Sequence, residues 1–164
     1  MIRSATPDEL PAFGATWARA LMAETRQVDD LGPFVQLGPR KGHGTHRNFL
    51  RHALAAGCLA WLDDPASIVS VLEEDGVVLG WCAWQPATVE RPLTIAFLFV
   101  ADLVRRRGFG SILLRDVLGF RDDRAPRLTC ITASGAAFYR AAAALLDTGE
   151  QHAGTQHAVV EAQG

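Results

Sequence analysis

The stretch FLFVADLVRRRGFGSILL, residues 97–114, decides how this chain is expected to fold. It continues an almost unbroken apolar run that starts at Pro92 and predicts a central β-strand covered on both faces. That strand leads directly into the motif Arg105-x-x-Gly108-x-Gly110. A helix is predicted next, over Gly110–Phe120, because four apolar residues recur there at helical spacing: Ile112, Leu113, Val117 and Leu118.

This strand, loop and helix are suited to binding an anion. Backbone N–H groups converge at the positive end of a helix, and Arg105, Arg106 and Arg107 add charge beside them. Glycine at positions 108 and 110 lets a diphosphate approach those amides. A solvated turn has the same composition, so the motif alone leaves that alternative open. No third glycine completes G-x-G-x-x-G and no G-K-[ST] is present, which disfavours dinucleotide and P-loop sites.

Before this unit, the chain predicts one short strand and two helices. The strand is Ile2–Ser4, and residues 6–9 (TPDE) have the N-cap, early proline and acids of a helix start. Residues 24–44 hold four glycines and two prolines and indicate a long irregular segment. A second helix is expected near Thr45–Ala56. Leu59–Leu62 fits either an extension of that helix or a strand.

The remaining segments add strands to the sheet. Ser67–Glu73 and Val77–Gln85 are rich in β-formers and flank Asp75-Gly76, a strong hairpin signal. Downstream we expect a strand, a helix and a last hairpin, over Arg127–Ala133, from Ser134 to about Leu145, and over Leu146–Gln151 with His157–Ala162.

Residues 97–114 resemble the acetyl-CoA signature of the GNAT superfamily of N-acetyltransferases, [RQ]-x-x-G-x-[GA]. Val100 matches the family's strand valine five residues before the arginine. Asp102 replaces the proline often found two residues after that valine, a departure expected to alter only the stiffness of the loop. Residues 134–140, SGAAFYR, resemble the family's coenzyme-side helix with its Phe-Tyr pair, but the usual asparagine and the later Gly-Phe are absent.

The resemblance covers roughly residues 67–162, and the amino-terminal third matches by element order alone. It implies a GNAT-like α/β (α+β) fold: a mixed, mostly antiparallel sheet of six to seven strands flanked by about four helices. We expect a single domain over residues 1–164.

Acetyl-CoA is the cosubstrate that the resemblance implies, with no metal. The diphosphate is expected on the amides from Arg106 to Ser111. The pantetheine arm is expected along the strand edge, where two central strands splay apart and admit the thioester near Cys130 to Ala133. The implied coenzyme-binding residues are Phe99, Val100, Arg105, Arg106, Arg107, Gly108, Phe109, Gly110, Ser111 and Phe138.

Tyr139, the only tyrosine, aligns with the family's general acid and is the candidate to protonate the departing thiolate. The alternative is a tyrosine that packs its ring in the core. Glu90 is a candidate base, as are Glu73 and Glu74, although each carboxylate also fits an ordinary surface position. Ser134 is a candidate to anchor a water.

The leading hypothesis is transfer of an acetyl group from acetyl-CoA to a primary amine by direct attack. The acceptor is a small molecule or an amine attached to a macromolecule, and the enzyme is expected to be a monomer or homodimer. A non-catalytic CoA-binding module is the first alternative. An enzyme acting on a modified nucleotide or nucleic acid is the second, prompted by basic residues clustered between Arg40 and His52.

Composition and charge disfavour several classes of protein. The net charge of −2 gives no basic surface for a nucleic acid, so nucleic acid is not implied by charge. No apolar run spans a bilayer and MIRSATPDEL lacks a secretory pattern, so we expect a cytoplasmic protein without membrane partners. Cys58, Cys82 and Cys130 stand in apolar surroundings and are expected to be buried, with a nucleophilic cysteine as the alternative.

Overall fold

A computed structural model describes residues 1–24, 43–130, 133–147 and 160–162. These residues form two compact units, one made of Met1–Ala5 with Pro65–Gln163 and the other of Thr6–Asp64. The predicted irregular segment lies, apart from its two ends, outside the described residues. Within the part of the chain that is described, no helix is both long and apolar enough to cross a membrane.

The first unit contains a six-stranded mixed sheet in the order β1-β2-β3-β4-β5-β6. The first four strands pair antiparallel, whereas β5 pairs parallel with β4 and β6 parallel with β5. This confirms the mixed, mostly antiparallel sheet expected from the resemblance. The strands are β1 Ile2–Ser4, β2 Ile68–Glu74, β3 Val77–Gln85, β4 Thr94–Val100, β5 Arg127–Cys130 and β6 Val160–Ala162.

Two helices of the same unit pack with this sheet: α3, Phe109–Leu118, and α4, Ala133–Asp147. Full burial of an aliphatic side chain contributes about 1.5–3 kcal/mol, so the apolar face of α3 is a main source of stability here. That face consists of Leu113, Leu114, Val117 and Leu118, and it joins a core that includes Cys82, Trp84, Ile95 and Leu128.

The second unit contains helices α1, Leu10–Glu24, and α2, His43–Leu62. A 3₁₀ turn over Pro7–Glu9 precedes α1, and the Glu9 carboxylate accepts a hydrogen bond from the Thr6 backbone N–H at 2.8 Å, as the predicted cap requires. The two helices approach closely, since a Cβ on Gly14 would lie 3.0 Å from the Ala55 carbonyl oxygen. Leu59–Leu62, ambiguous in sequence, belongs to α2.

Three boundaries differ from expectation, and the first is Ala133, which was predicted as the end of a strand but is the first residue of α4. β4 ends at Val100 and a 3₁₀ turn over Asp102–Val104 follows, so the strand does not run directly into the arginines. The α4 helix continues to Asp147, and the first strand of the predicted last hairpin is therefore wrong at Leu146 and Asp147, because the alanine-rich run favours helix. The rest of that strand lies outside the described residues.

Candidate functional site

Strand β4 separates from β5 after its first two residues. Among the described residues, the two strands pair at Thr94–Arg127 and Ile95–Leu128 only, whereas β5 pairs with β6 from Leu128 to Cys130. The separation coincides with a β-bulge at Ala96, since Phe97 pairs with Ala83 and Ile95 with Trp84 of β3. Among the described residues, the later half of β4 thus has a sheet partner on its β3 side only.

The backbone of β4 presents hydrogen-bonding groups toward this separation. The Ala101 N–H donates to the Leu79 carbonyl at 2.9 Å, which makes Trp81 and Phe99 the next hydrogen-bonded pair of the antiparallel ladder. The main-chain groups of Leu98 and Val100 therefore point away from β3, toward the side on which β5 diverges. Of the two predicted edge residues, Val100 offers its backbone there, whereas the backbone of Phe99 faces β3.

The loop after β4 contains two left-handed residues. Arg106 has φ of 63° and Gly108 has φ of 87°. Left-handed residues alternating with ordinary ones turn successive N–H groups toward a common concavity, which is an anion-binding arrangement of backbone. Gly108 suits its position, because the conformation is costly for other residues. The side chains of all three arginines are exposed.

The N-terminus of α3 completes the concave surface. The Ile112 N–H donates to the Gly108 carbonyl at 3.1 Å, closing the first turn. The amides of Phe109, Gly110 and Ser111 precede that bond and have no partner within the helix, so they carry the partial positive charge of its N-terminus. The loop and the helix together offer the array of donors that the sequence predicted for a diphosphate.

Two of the three arginines interact with the loop itself. The Arg105 Nε donates to the Val100 carbonyl at 3.2 Å and lies 3.0 Å from the Asp102 carboxylate. The Arg107 guanidinium lies over the Phe109 ring, 5.6 Å from its centre, in a cation–π contact. The positive charge beside the amides is thus held in place by neighbouring side chains.

The two sequence motifs meet at Gly110. A Cβ there would lie 3.1 Å from the Phe138 ring of α4 and 3.6 Å from the Val100 side chain. The close approach explains glycine at this position in terms of packing, besides access to the amides. Val100, Gly110 and Phe138, three of the predicted coenzyme-binding residues, therefore lie together.

Tyr139 is buried, with 3% of its surface exposed, and belongs to the core cluster of the first unit. Its ring centre is 5.5 Å from that of Phe138 in a tilted arrangement. The predicted acid therefore lies next to a residue that contacts the loop. Ser134 is exposed in the first turn of α4.

The candidate bases lie at the end of β2 and in the turn before β4. Glu90 is exposed in a turn before β4, at the end opposite the arginine loop. Arg124 fastens this turn by donating to the carbonyls of Thr88, Val89 and Arg91. Glu73 is ion-paired to Arg3 at 2.6 Å, which gives it a structural role, and Glu74 is exposed.

Other sequence candidates are also located. Within the basic cluster, Arg51 and His52 are the residues with described side chains, and both are exposed. Cys58 and Cys82 are buried free thiols, and burial raises the pKa of Cys58 to about 12. Burial also raises the pKa of Cys82, and the nearby Asp116 charge adds to this effect. The side chain of Cys130 lies outside the described residues. Among the described side chains, no cluster of three or more His, Cys, Asp or Glu forms a metal site.

The sequence did not single out three features of this region. Gly80 of β3 faces the backbone of β4, because a Cβ on it would lie 2.6 Å from the Phe99 carbonyl oxygen. An isolated glycine within a strand is a signal for such an approach. The pairing of Asp102 with Arg105 had a signal in their opposite charges three residues apart, whereas the bulge at Ala96 has none in the apolar run.

Family and structural comparisons agree with this geometry. The sequence model of the acetyltransferase (GNAT) family matches residues 45–146, more than half of the chain, and the chain belongs to that family. The protein is thus an acetyltransferase of a family that uses acetyl-CoA. No curated protein matches the chain in sequence.

Three solved structures illustrate the shared fold. The PaiA N-acetyltransferase from Thermoplasma acidophilum, in complex with coenzyme A, has a TM-score of 0.56 at 11% identity over 86% of each chain. A tetramutant of the BH1408 protein from Bacillus halodurans has a TM-score of 0.53 at 14% identity, covering 97% of this chain and 98% of its own. An aminoglycoside acetyltransferase from an uncultured soil metagenomic sample, meta-AAC0020 in complex with sisomicin, has a TM-score of 0.51 at 12% identity, covering 97% and 91%.

Proposed function

We propose that this chain transfers the acetyl group of acetyl-CoA to a primary amine within a ternary complex. The observation that carries the proposal is the continuity between the open edge of β4 and the amides of the following loop and helix. One surface thereby offers donors for a diphosphate and strand-like hydrogen bonds for an extended amide chain. Acetyl-CoA has both parts, a diphosphate joined to a pantetheine arm with two amides.

The diphosphate is assigned to the amides from Arg106 to Ser111. Backbone donors at the N-terminus of α3 and the concavity formed by Arg106 and Gly108 support this assignment. Arg105, Arg106 and Arg107 keep the surroundings positive, and Phe109 and Phe138 flank the loop. No atom of the described residues lies within 4 Å of the position that a Cβ on Gly108 would take, so the turn is open at this point.

The pantetheine arm is assigned to the open edge of β4, through the main-chain groups of Leu98 and the Val100 N–H, since the Val100 carbonyl accepts a hydrogen bond from the Arg105 Nε. This is strand addition by a ligand, in which backbone hydrogen bonds align an extended chain. The bulge at Ala96 turns the strand away from β5 where the thioester would lie. Phe99 then contributes through its side chain, which stacks on Trp81 with ring centres 5.9 Å apart.

The chemical step joins the amine nitrogen to the acetyl carbonyl carbon and breaks the carbon–sulfur bond. A free alkylamine has a pKa of about 10, so it must lose a proton before or during attack, and the departing thiolate gains one. We assign the second proton to Tyr139, whose ring lies beside Phe138. Glu90 as the base that takes the first proton, and Ser134 as the anchor of a water, stay predictions.

An amine acceptor is favoured by two proteins with this fold, an N-acetyltransferase and an aminoglycoside acetyltransferase. The acceptor is either a small molecule or an amine on a macromolecule. A CoA-binding module without turnover is the alternative, and it predicts binding without release of free thiol.

The test combines calorimetry with a thiol-release assay. We expect CoA and acetyl-CoA to bind with measurable heat, and at least one amine in a panel of polyamines, amino acids and modified nucleosides to release CoA thiol. If neither CoA nor acetyl-CoA gave a measurable heat of binding, this result would contradict the proposed site. Binding without thiol release across the panel would favour the module.

A further inference from the structure

We propose that Asp102 is a positioning residue for the coenzyme loop and that it acts through Arg105. The inference rests on the proposed function, because it assigns a role within the proposed coenzyme site. Asp102 stands where the family pattern often has proline, so this chain lacks the ring that would stiffen the turn. A side-chain contact is available to fix the loop instead.

The contact ties the end of β4 to the first arginine. The Arg105 Nε lies 3.0 Å from the Asp102 carboxylate and donates to the Val100 carbonyl at 3.2 Å. The backbone follows the same path, since the Val104 N–H donates to the Ala101 carbonyl at 3.0 Å. One nitrogen atom thus connects the last residue of the strand with the first residue of the turn.

This connection determines the backbone that follows. Arg106 is held at φ of 63°, which is unfavourable for a residue other than glycine. Such a residue keeps its conformation only where its neighbours fix it. Arg105 is the residue immediately before it, so a fixed Arg105 restrains the backbone conformation of Arg106. Asp102 therefore acts on the amides that the diphosphate needs, without contacting the coenzyme.

The contact also divides the roles of the arginines. Arg105 is directed back onto the strand, where its Nε binds the Val100 carbonyl and the Asp102 carboxylate. Arg107 is held over Phe109. Arg105 thereby shapes the loop in addition to its positive charge, whereas Arg106 and Arg107 contribute through their charge alone.

Simple electrostatics predicts the opposite effect of removing Asp102. Its carboxylate is a negative charge three residues before the arginines, so by charge alone its neutralisation should tighten the binding of an anionic coenzyme. A positioning role predicts weaker binding. The sign of the change therefore separates the two explanations.

The experiment compares Asp102→Asn, Asp102→Glu, Arg105→Gln and the double variant Asp102→Asn/Arg105→Gln with the unmodified protein. Asp63→Asn, at an exposed aspartate of the second unit, is the matched control for loss of one charge. Each protein is titrated with CoA by calorimetry at low and high salt. Steady-state kinetics give KM for acetyl-CoA, kcat and KM for the acceptor, and thermal melting verifies folding.

We expect Asp102→Asn to weaken CoA binding about threefold to fivefold at low salt, the range of an exposed ion pair, and Asp102→Glu to restore most of it. KM for acetyl-CoA should rise by a similar factor, with kcat and acceptor KM unchanged. The double variant should bind no more weakly than Arg105→Gln alone, because both changes break one connection. The loss should shrink at high salt.

Unchanged or tighter CoA binding in Asp102→Asn would overturn the role of Asp102 while leaving the coenzyme site intact. Additive losses in the double variant would show that Arg105 binds the coenzyme directly and would also overturn it. If the unmodified protein binds no CoA, the proposed function fails and this inference fails with it. A loss of equal size in Asp63→Asn would show that the effect is not specific to Asp102 and would overturn its positioning role.

Discussion

Tyr139 combines a buried side chain with a proposed role in proton transfer. Tyr139→Phe removes one oxygen and keeps the ring, so the packing against Phe138 and the core should persist. We expect kcat to fall about 10²- to 10⁴-fold, the usual range for a positioned proton donor, while CoA affinity stays within about twofold. Kinetics at saturating acetyl-CoA, with calorimetry for affinity, measure both.

A kcat within twofold of the unmodified protein would instead identify Tyr139 as a packing residue of the core. A parallel fall in CoA affinity would point to a displaced Phe138, because the two rings are in contact. Phe138→Leu provides the comparison, since it should weaken CoA binding and leave proton transfer intact.

The alkylation rate of Cys58 tests whether this thiol is buried in the folded protein. Burial raises its pKa from 9.0 to about 12, so the folded protein holds far less thiolate at pH 8 than an exposed cysteine would. We expect alkylation of Cys58 to be about 1000-fold slower in the folded than in the unfolded protein. Peptide mass spectrometry after timed alkylation measures the rate, and rapid labelling in the folded state would contradict the burial.

The raised pKa of Cys58 also makes the stability of the folded protein depend on pH. Because the pKa is raised in the folded state, the contribution of Cys58 is fully present below pH 9 and is lost as the pH rises toward about 12. Cys58→Ser should therefore flatten the loss of melting temperature between pH 9 and 11. An unchanged slope would contradict the assignment.

At the scale of elements, Gly80 fixes how closely β3 and β4 approach. A Cβ there would lie 2.6 Å from the Phe99 carbonyl oxygen, so Gly80→Ala forces the strands apart. We expect a loss of about 1–3 kcal/mol and, from 2–4 °C per kcal/mol, a melting temperature lower by roughly 2–12 °C. Differential scanning calorimetry measures the change.

Gly57 provides the matched control, because it is exposed in α2 and a Cβ on it would meet no atom within 4 Å in the part of the chain that the structure describes. Gly57→Ala should stabilise the helix by up to about 1 kcal/mol. Equal effects of the two substitutions would show that the contact at Gly80 has no special cost.

Element identity was predictable from the sequence where local chemistry determines it. Val77–Gln85 coincides with β3, since a hairpin turn and β-branched residues set its bounds. Gly108 has a left-handed conformation, which a glycine in a turn adopts without strain. The bulge at Ala96 was not predictable, because residues 92–100 are apolar on both faces and contain no alternation from which a register change could be read.

At the scale of the whole molecule, ligand binding should appear as thermal stabilisation. A ligand at 100 times its Kd stabilises the folded state by about 2.7 kcal/mol. For a chain of this size the melting temperature should rise by roughly 5–11 °C with CoA. Differential scanning fluorimetry measures the shift, with sodium sulfate at matched ionic strength as control. An equal shift with sulfate would mean that any anion suffices.

Family membership and fold were accessible from the sequence because one motif, residues 97–114, carries both. The acceptor was not, because no motif in the sequence indicates one, and the interpretation of the chain as one domain stays a prediction. The residues that shape the coenzyme loop, such as Asp102 and Arg105, become apparent only when their distances are known.

Ala96 is the extra residue that the bulge adds to β4, so its presence matters more than its side chain. Ile95 belongs to the core shared with α3 and Phe97 contacts Trp81, so the two residues on either side of Ala96 occupy opposite faces, as consecutive residues of a regular strand do. Deleting Ala96 would leave both side chains where they are and straighten the strand against β5. Such a shortened protein should melt normally yet fail to bind CoA, whereas Ala96→Ser should do both normally.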